Sequence, residues 1–455
     1  MSSAQESKML TGPIGAEFIR FVVPSVIGMI ALSSASVIDG IFIGNFVGAT
    51  ALASVNLVMP LLAFVFGVLI MVSLGGAVVA GKLLGEEQPQ AASNMFSKTG
   101  LALLVLMGVL ALITLAAPNA VVALLGARGE TVPLSAQYAW VMAWFFPAFA
   151  SAVLFGQFAR VDGKPGIALM GMISTTLANI GLDALFIAWL GWGLTGAALA
   201  TGLAFGVGTL IPLAHFLGPQ AKMRLIRPFG SWTVLFRSSF NGFSEFLNES
   251  SSGVVLLLFN WILITQVGAA GVASFAVVDY LVYFGILIFY GVSEGIVPLI
   301  SVNFGGRKPQ RIRRILLLSL GFNFALGGLL MALFLIWPQH LIGIFLEGEQ
   351  PDILNLSLSI IAIVWPIFFF IGANIAISGY FTGIQRPVQS SLIALFRGLI
   401  LPVALAFVFW SGFGVMGTFY ALPVSEALTF LLCLVLLRFT PPQPGLERPS
   451  AAQTK

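Results

Sequence analysis

The sequence predicts an all-α integral membrane protein of twelve transmembrane helices, arranged as two parallel repeats of six. Three observations lead there. Of 455 residues, 58% are hydrophobic and only 8% are charged, whereas a soluble domain carries about 25% charged residues. The apolar runs reach the ~20 residues needed to cross a hydrocarbon core. The basic residues alternate from loop to loop in step with those runs.

Spanning runs are expected at about 18–43, 51–80, 96–117, 134–158, 166–189, 194–217, 236–264, 268–297, 314–337, 354–380, 388–410 and 415–437. With that count, 20 of the 21 Lys and Arg residues fall on one side and Arg128 alone on the other. One missed helix would scramble the split. Positive loops stay in the cytoplasm, so both termini are expected inside a multi-pass protein of the inner (cytoplasmic) membrane. Residues 1–16 are polar and hold no signal-peptide core, so the first span is expected to be retained. The net charge of +4 is not spread like a nucleic-acid face. The single cysteine, Cys433, excludes an internal disulfide and a Cys-rich metal site.

Shifted by 220 residues, the chain overlays itself: Val47-Gly48-Ala49 meets Val267-Gly268-Ala269, Ser73 meets Ser293, and Pro89 meets Pro309. Six helices is an even number, so the halves insert in the same orientation. Parallel repeats of this kind belong to transporters that bind substrate between the halves. The expected division is an N-lobe at 1–217, a basic cytoplasmic linker at 218–235, a C-lobe at 236–440 and a disordered cytoplasmic tail at 441–455.

Seven of the 17 acidic residues fall within or at the edge of spans: Asp39, Asp183, Glu245, Glu249, Asp279, Glu294 and Glu426. No basic residue falls clearly mid-span, with Arg237 and Arg397 read as near the cytoplasmic ends. An ionised carboxylate at the bilayer centre costs about 2.5–3.5 kcal/mol, so these acids are expected to take up a proton or a cation. Asp39 lies roughly 32 Å along helix 1 and Asp183 about 26 Å up helix 5, at one level. Asn179 shares the Asp183 face of helix 5 at i, i+4. Thr201 on helix 6 and Tyr138 on helix 4 lie near that level, although Tyr138 also suits an aromatic belt. Carboxyl, amide and hydroxyl oxygens suit a proton or a hard cation such as Na⁺. At the shifted position, Phe259 replaces Asp39, so the second half lacks this set. Glu245, Glu249 and Asp279 are candidates for a substrate-facing cavity or for coupling. Pro24 is expected to bend helix 1. His215 and His340 look isolated near helix ends, and no nucleophile–base pair, zinc pattern or phosphate loop is evident.

These residues resemble the multidrug and toxic compound extrusion (MATE) transporters over the whole length. Pro24, Asp39, Gly44, Gly48 and "ALA" at 51–53 resemble the family's helix 1–2 pattern, and "NIGLD" at 179–183 with Thr201 resembles the N-lobe cation site of the damage-inducible (DinF-type) branch. The resemblance implies a V-shaped fold of two lobes. It also implies that Asp39, Asn179, Asp183 and Thr201 hold the coupling ion, H⁺ or, as a metal site, Na⁺. Tyr138 would be an adjacent contact, and protonation of Asp39 would rearrange helix 1 and release drug. Ala184 departs from the Pro frequent in relatives, and Glu245 and Glu249 lie earlier than the helix 7 glutamate of the Na⁺-coupled NorM-type branch.

The leading expectation is an antiporter that exports amphipathic, often cationic compounds in exchange for protons. It needs membrane lipid, no cofactor and no nucleic acid, and a monomer is expected. A lipid-linked oligosaccharide flippase is the alternative. It would need cavity cations for a pyrophosphate. A membrane enzyme would need a reactive constellation beyond carboxylates. The topology is testable in a Cys433→Ala background. Arg128→Cys is expected to react with an impermeant maleimide on intact cells, and Arg307→Cys only after permeabilisation. Labelling of both from outside would break the twelve-span assignment.

Overall fold

A computed structural model describes residues 8–129, 131–344 and 351–440. The tail expected to be disordered, 441–455, lies outside the described residues. Ten helices are each long and apolar enough to span a membrane, and two bent helix pairs bring the described spans to twelve. In chain order they are α1 (Ile14–Phe46), α2 (Ala49–Gly85) and α3 (Pro89–Ala116). Next come α4 (Thr131–Ala143 then Phe146–Val161), α5 (Pro165–Asp183, widened to a π-helix over Ala184–Trp189) and α6 (Gly193–Leu217). The second half comprises α7 (Phe243–Gln266), α8 (Ala269–Gly305), α9 (Pro309–Ile336) and α10 (Pro351–Val364 then Ile367–Gly383). It ends with α11, made of Pro387–Leu395, a π segment Phe396–Ile400 and Leu401–Thr418, and with α12 (Ala421–Phe439).

The duplication is written in the punctuation. Proline, which has no N–H to lose at a first turn, opens α3, α5, α9 and α11. The α4 pair bends by 51° and the α10 pair by 54°, next to Pro147 and Pro366, whose rings break the ladder. Gly48 and Gly268, which connect the first two helices of each half, take positive φ of 112° and 88°. Glu87 and Arg307 match at 60° and 55°. Beyond the bent helix the offset grows by two, so Asn179 and Asp183 face Leu401 and Leu405. The expected seventh span is also divided: Thr233–Asn241 forms a separate short helix, ended at Gly242, before α7.

Two helices cross between the halves. α1 packs on α5 of its own half and on α8 of the other, while α7 packs on α11 of its own half and on α2 of the other. The face carrying the basic loops is where the halves meet. There Gly291 and Gly295 of α8 lie against the α1 backbone at Val26 and Val22, Gly305 lies against the Lys82 carbonyl, and Gly75 of α2 meets the Ser238 carbonyl. Only a residue without Cβ permits such approach. Toward the opposite face α2 exposes Met59 and Phe64, and α8 exposes Tyr283 and Phe284. The halves thus join at the basic face and part away from it.

Close packing within a half is tested by adjacent glycines on α9. A Cβ on Gly327 would run into the Phe368 carbonyl of α10, whereas one on Gly328 meets nothing within 4 Å. Gly327→Ala should destabilise the protein by about 1–3 kcal/mol. Gly328→Ala should be neutral or stabilising by up to about 1 kcal/mol. Unfolding of the detergent-solubilised protein reads both, and equal effects would refute this packing.

Candidate functional site

Asp39 on α1 and Asp183 at the end of α5 come together. Their carboxyl groups lie within hydrogen-bonding reach of each other. Asp39 is 9% exposed and Asp183 0%. Below Asp183 on the same face of α5 stand Asn179 and Thr176, both buried. Apart from the two carboxyls' approach to each other, one oxygen of Asp39, both oxygens of Asp183, the Asn179 amide nitrogen and the Thr176 hydroxyl have no hydrogen-bond partner among the described residues. Such a column of buried polar atoms can accept a proton, a water or a cation. The π-helix beginning at Ala184 interrupts the regular ladder directly after Asp183, a distortion frequent at functional sites. Fully buried Tyr138 on α4 is within electrostatic reach of both carboxyls. Among the described residues no Lys, Arg or His pairs with either acid.

A hydrogen bond between two carboxyl groups needs a proton between them, and two carboxylates at that separation need a proton or a cation. Asp39, Asp183 and Asn179 supply oxygen for either. Thr201 is less engaged: it is half-buried on α6, which packs on α5 and touches α1, and no hydrogen bond joins it to the acids among the described residues. Pro24 sits inside α1. It lies between Val22 and Val26, both of which contact α8, and four residues before Gly28, against which Met172 of α5 packs. Pro24 therefore sits within the stretch of α1 that is seated on α8.

The acids of the second half differ. Glu245 accepts a hydrogen bond from Asn248 at 3.2 Å. Glu249 and Asp279 are half-buried and both lie within electrostatic reach of the Tyr283 hydroxyl. Two acids expected to lack cationic partners have them. Arg397 is not near a helix end but on the π segment inside α11. Its Nε lies 3.1 Å from Glu426, and it donates to the Tyr290 hydroxyl at 3.1 Å. Asn374 donates to Glu426 at 2.7 Å. Arg160, in the last turn of α4, lies 3.0 Å from Glu294 of α8, to which Gln157 also donates at 3.0 Å. His215, expected to be isolated, lies 2.7 Å from Asp162.

The Arg160–Glu294 pair crosses between halves near the basic face, and both side chains are largely buried. Arg160 also donates to the Met172 sulfur at 3.4 Å, and Met172 lies against Gly28 of α1. The pair is therefore in contact, through one side chain, with the helix that carries Asp39. Sequence reasoning missed Arg160, Gln157 and Arg397. Arg397 could have been found, since it lies well inside the run that starts at Pro387.

A duplicated twelve-helix bundle with partnerless carboxyls in one half has the architecture of a secondary transporter. The chain belongs to the MatE family, whose model matches residues 24–185 and 245–408, once in each half. Multidrug export protein MepA of Staphylococcus aureus (strain MSSA476) is 25% identical over 432 residues, covering 93% of this chain and 94% of that one. The MepA of Staphylococcus saprophyticus subsp. saprophyticus is 27% identical over 430 residues, covering 92% and 93%. A crystal structure of MATE in complex with MaL6 shares the fold at a TM-score of 0.90 and 21% identity, covering 96% of this chain and 98% of that one.

Removing one partner of a buried ion pair costs about 3–5 kcal/mol. Glu294→Arg should therefore loosen the basic face, so that a cysteine placed at buried Ser301 labels about tenfold faster from that face. The exchange Arg160→Glu/Glu294→Arg should slow labelling again. Identical rates in all three proteins would show that the pair does not hold the halves together.

Proposed function

We propose that this protein is a multidrug efflux antiporter of the DinF-type branch, exporting amphipathic, often cationic compounds in exchange for protons. The observation that carries this reading is the Asp39–Asp183 contact, two buried carboxyls with no cationic partner among the described residues. The relatives named for multidrug export point to the cargo.

In this reading the basic face is cytoplasmic, as are both termini, and the described conformation opens outward. A proton entering from outside bridges Asp39 and Asp183, with Asn179 and Tyr138 orienting the carboxyls and Thr201 completing the oxygen set when α1 and α6 approach. Because α1 rests on α5 around Asp39 and on α8 around Val22 and Val26, a change of charge at the acids acts through α1 on how the two halves sit together. The Arg160–Glu294 pair then opens and the cavity turns inward. Substrate entering from the cytoplasm favours the charged acids and displaces the proton. Glu249 and Asp279 near Tyr283, with Glu245 near Tyr290, make the wall formed by α7 and α8 attractive to organic cations.

Asp39→Asn and Asp183→Asn keep the shape but leave a single carboxyl, so no proton can be shared between two. Each should abolish efflux of a fluorescent cation from proteoliposomes while leaving the protein folded in the membrane. In wild-type proteoliposomes an imposed pH gradient should drive efflux and a sodium gradient at constant pH should not. Sodium-driven efflux alone would transfer the same residues to Na⁺. Full efflux by the Asp39→Asn variant would refute the site.

A further inference from the structure

We propose that the segment joining the two halves forms a binding site for the headgroup of an anionic phospholipid. After α6 the chain runs without regular structure over 224–229, yet its backbone is fixed. Asp162 accepts from the N–H groups of Lys222 and Met223 at 3.0 and 3.2 Å. On α3, Ser93 accepts from Arg224 N–H at 3.1 Å and Ser97 from Ile226 N–H at 2.8 Å. Asn94 accepts from Phe229 N–H at 2.9 Å and donates to the Phe229 carbonyl at 3.1 Å. Lys98 donates to the Ser231 carbonyl at 2.6 Å and lies over the Trp232 ring. With side chains of α3 holding the backbone, the side chains of the segment are left to face outward.

Those side chains are Lys222, Arg224 and Arg227, all exposed. They line a cleft of about 380 Å³ together with Pro89, Gln90 and Ser93. Pro89 and Gln90 form the first turn of the 28-residue α3, whose unpaired N–H groups and dipole also favour an anion. None of the three cations pairs with a carboxylate among the described residues. Arg20 and Lys164 add positive charge within electrostatic reach of Lys222, and the nearby acid, Asp162, is occupied by His215 and by backbone. The acids nearest to Pro89 along the chain are Glu87, which is exposed, and Glu86, which lies 3.9 Å from Lys82.

Such a cleft selects a phosphate-bearing anion. Three neighbours favour lipid over soluble phosphate: Leu225, Phe229 and Trp232 are 48%, 50% and 40% exposed beside the cations. They supply an apolar rim for acyl chains at the level where helices leave the membrane. The fixed backbone distinguishes this cleft from general basic-face attraction, because the cations are held convergent before any lipid arrives.

The test uses the full-length protein in non-ionic detergent. Unfolding temperature is followed as dioctanoyl phosphatidylglycerol, dioctanoyl phosphatidylcholine or sodium phosphate is added at constant ionic strength. Phosphatidylglycerol should raise it saturably, with the other two having little effect. Arg224→Gln/Arg227→Gln should weaken the apparent affinity by about tenfold or more. Lys308→Gln/Arg386→Gln, which removes two charges elsewhere on the basic face, should leave it unchanged. Should the Arg224/Arg227 variant not fold, Lys222→Gln alone should weaken it about fivefold. An equal shift from inorganic phosphate would overturn the lipid assignment in favour of a soluble anion. Absence of a phosphatidylglycerol shift, or equal loss in the control variant, would overturn the site.

Discussion

Two carboxyl groups held against each other away from water must share a proton or a cation, and the rest of this structure is organised around that constraint. Asp39 and Asp183 come from different helices. The energy of satisfying them is therefore also an energy of bringing α1 and α5 together. α1 does not belong to one half alone: around Pro24, at Val22 and Val26, it is seated on α8 through Gly295 and Gly291. A local change in charge state thus acts on the contact between halves. An ion that binds one arrangement better than another shifts the balance by that difference and no more.

The other deep acids show what a satisfied carboxylate looks like here. Glu426 has Arg397 and Asn374, and Glu294 has Arg160 and Gln157. Their charges are neutralised within the protein, so neither asks for an ion from solution. Glu426 and its partners lie within the second half and hold its helices together. Glu294 reaches across, which makes its pair a contact that exists only while the basic face is closed. The glycines lining the same interface allow α2 and α8 to approach backbone to backbone. Closure there rests on shape, on hydrogen bonds from Asn303 and Arg311 to the Met9 and Gly12 backbone, and on the buried Arg160–Glu294 pair.

Much of this could be read in the sequence. The helices follow from long apolar runs, and the duplication from turn residues recurring at a constant spacing, down to the left-handed Gly48 and Gly268. Asp39, Asp183 and Asn179 were identifiable because charge in an apolar run is costly and i, i+4 spacing fixes a shared face. The pairing of Arg160 with Glu294 was not legible, since neither residue carries a local mark of a partner so far along the chain. Arg397 was misplaced because a charge in a run opened by proline looks interfacial until the turns are counted. His215 looked isolated because its partner, Asp162, lies on another loop. Thr201 was grouped with the acids by depth and by family resemblance, and neither says which way a side chain turns.

The most direct measurement is proton release on substrate binding, in weakly buffered detergent solution with no membrane and no gradient. If Asp39 and Asp183 share a proton that substrate displaces, binding of a permanently charged organic cation should release about one proton per protein. Asp39→Asn and Asp183→Asn should release none while still binding the cation. Binding without proton release in the wild type, or the same release from both variants, would contradict the account.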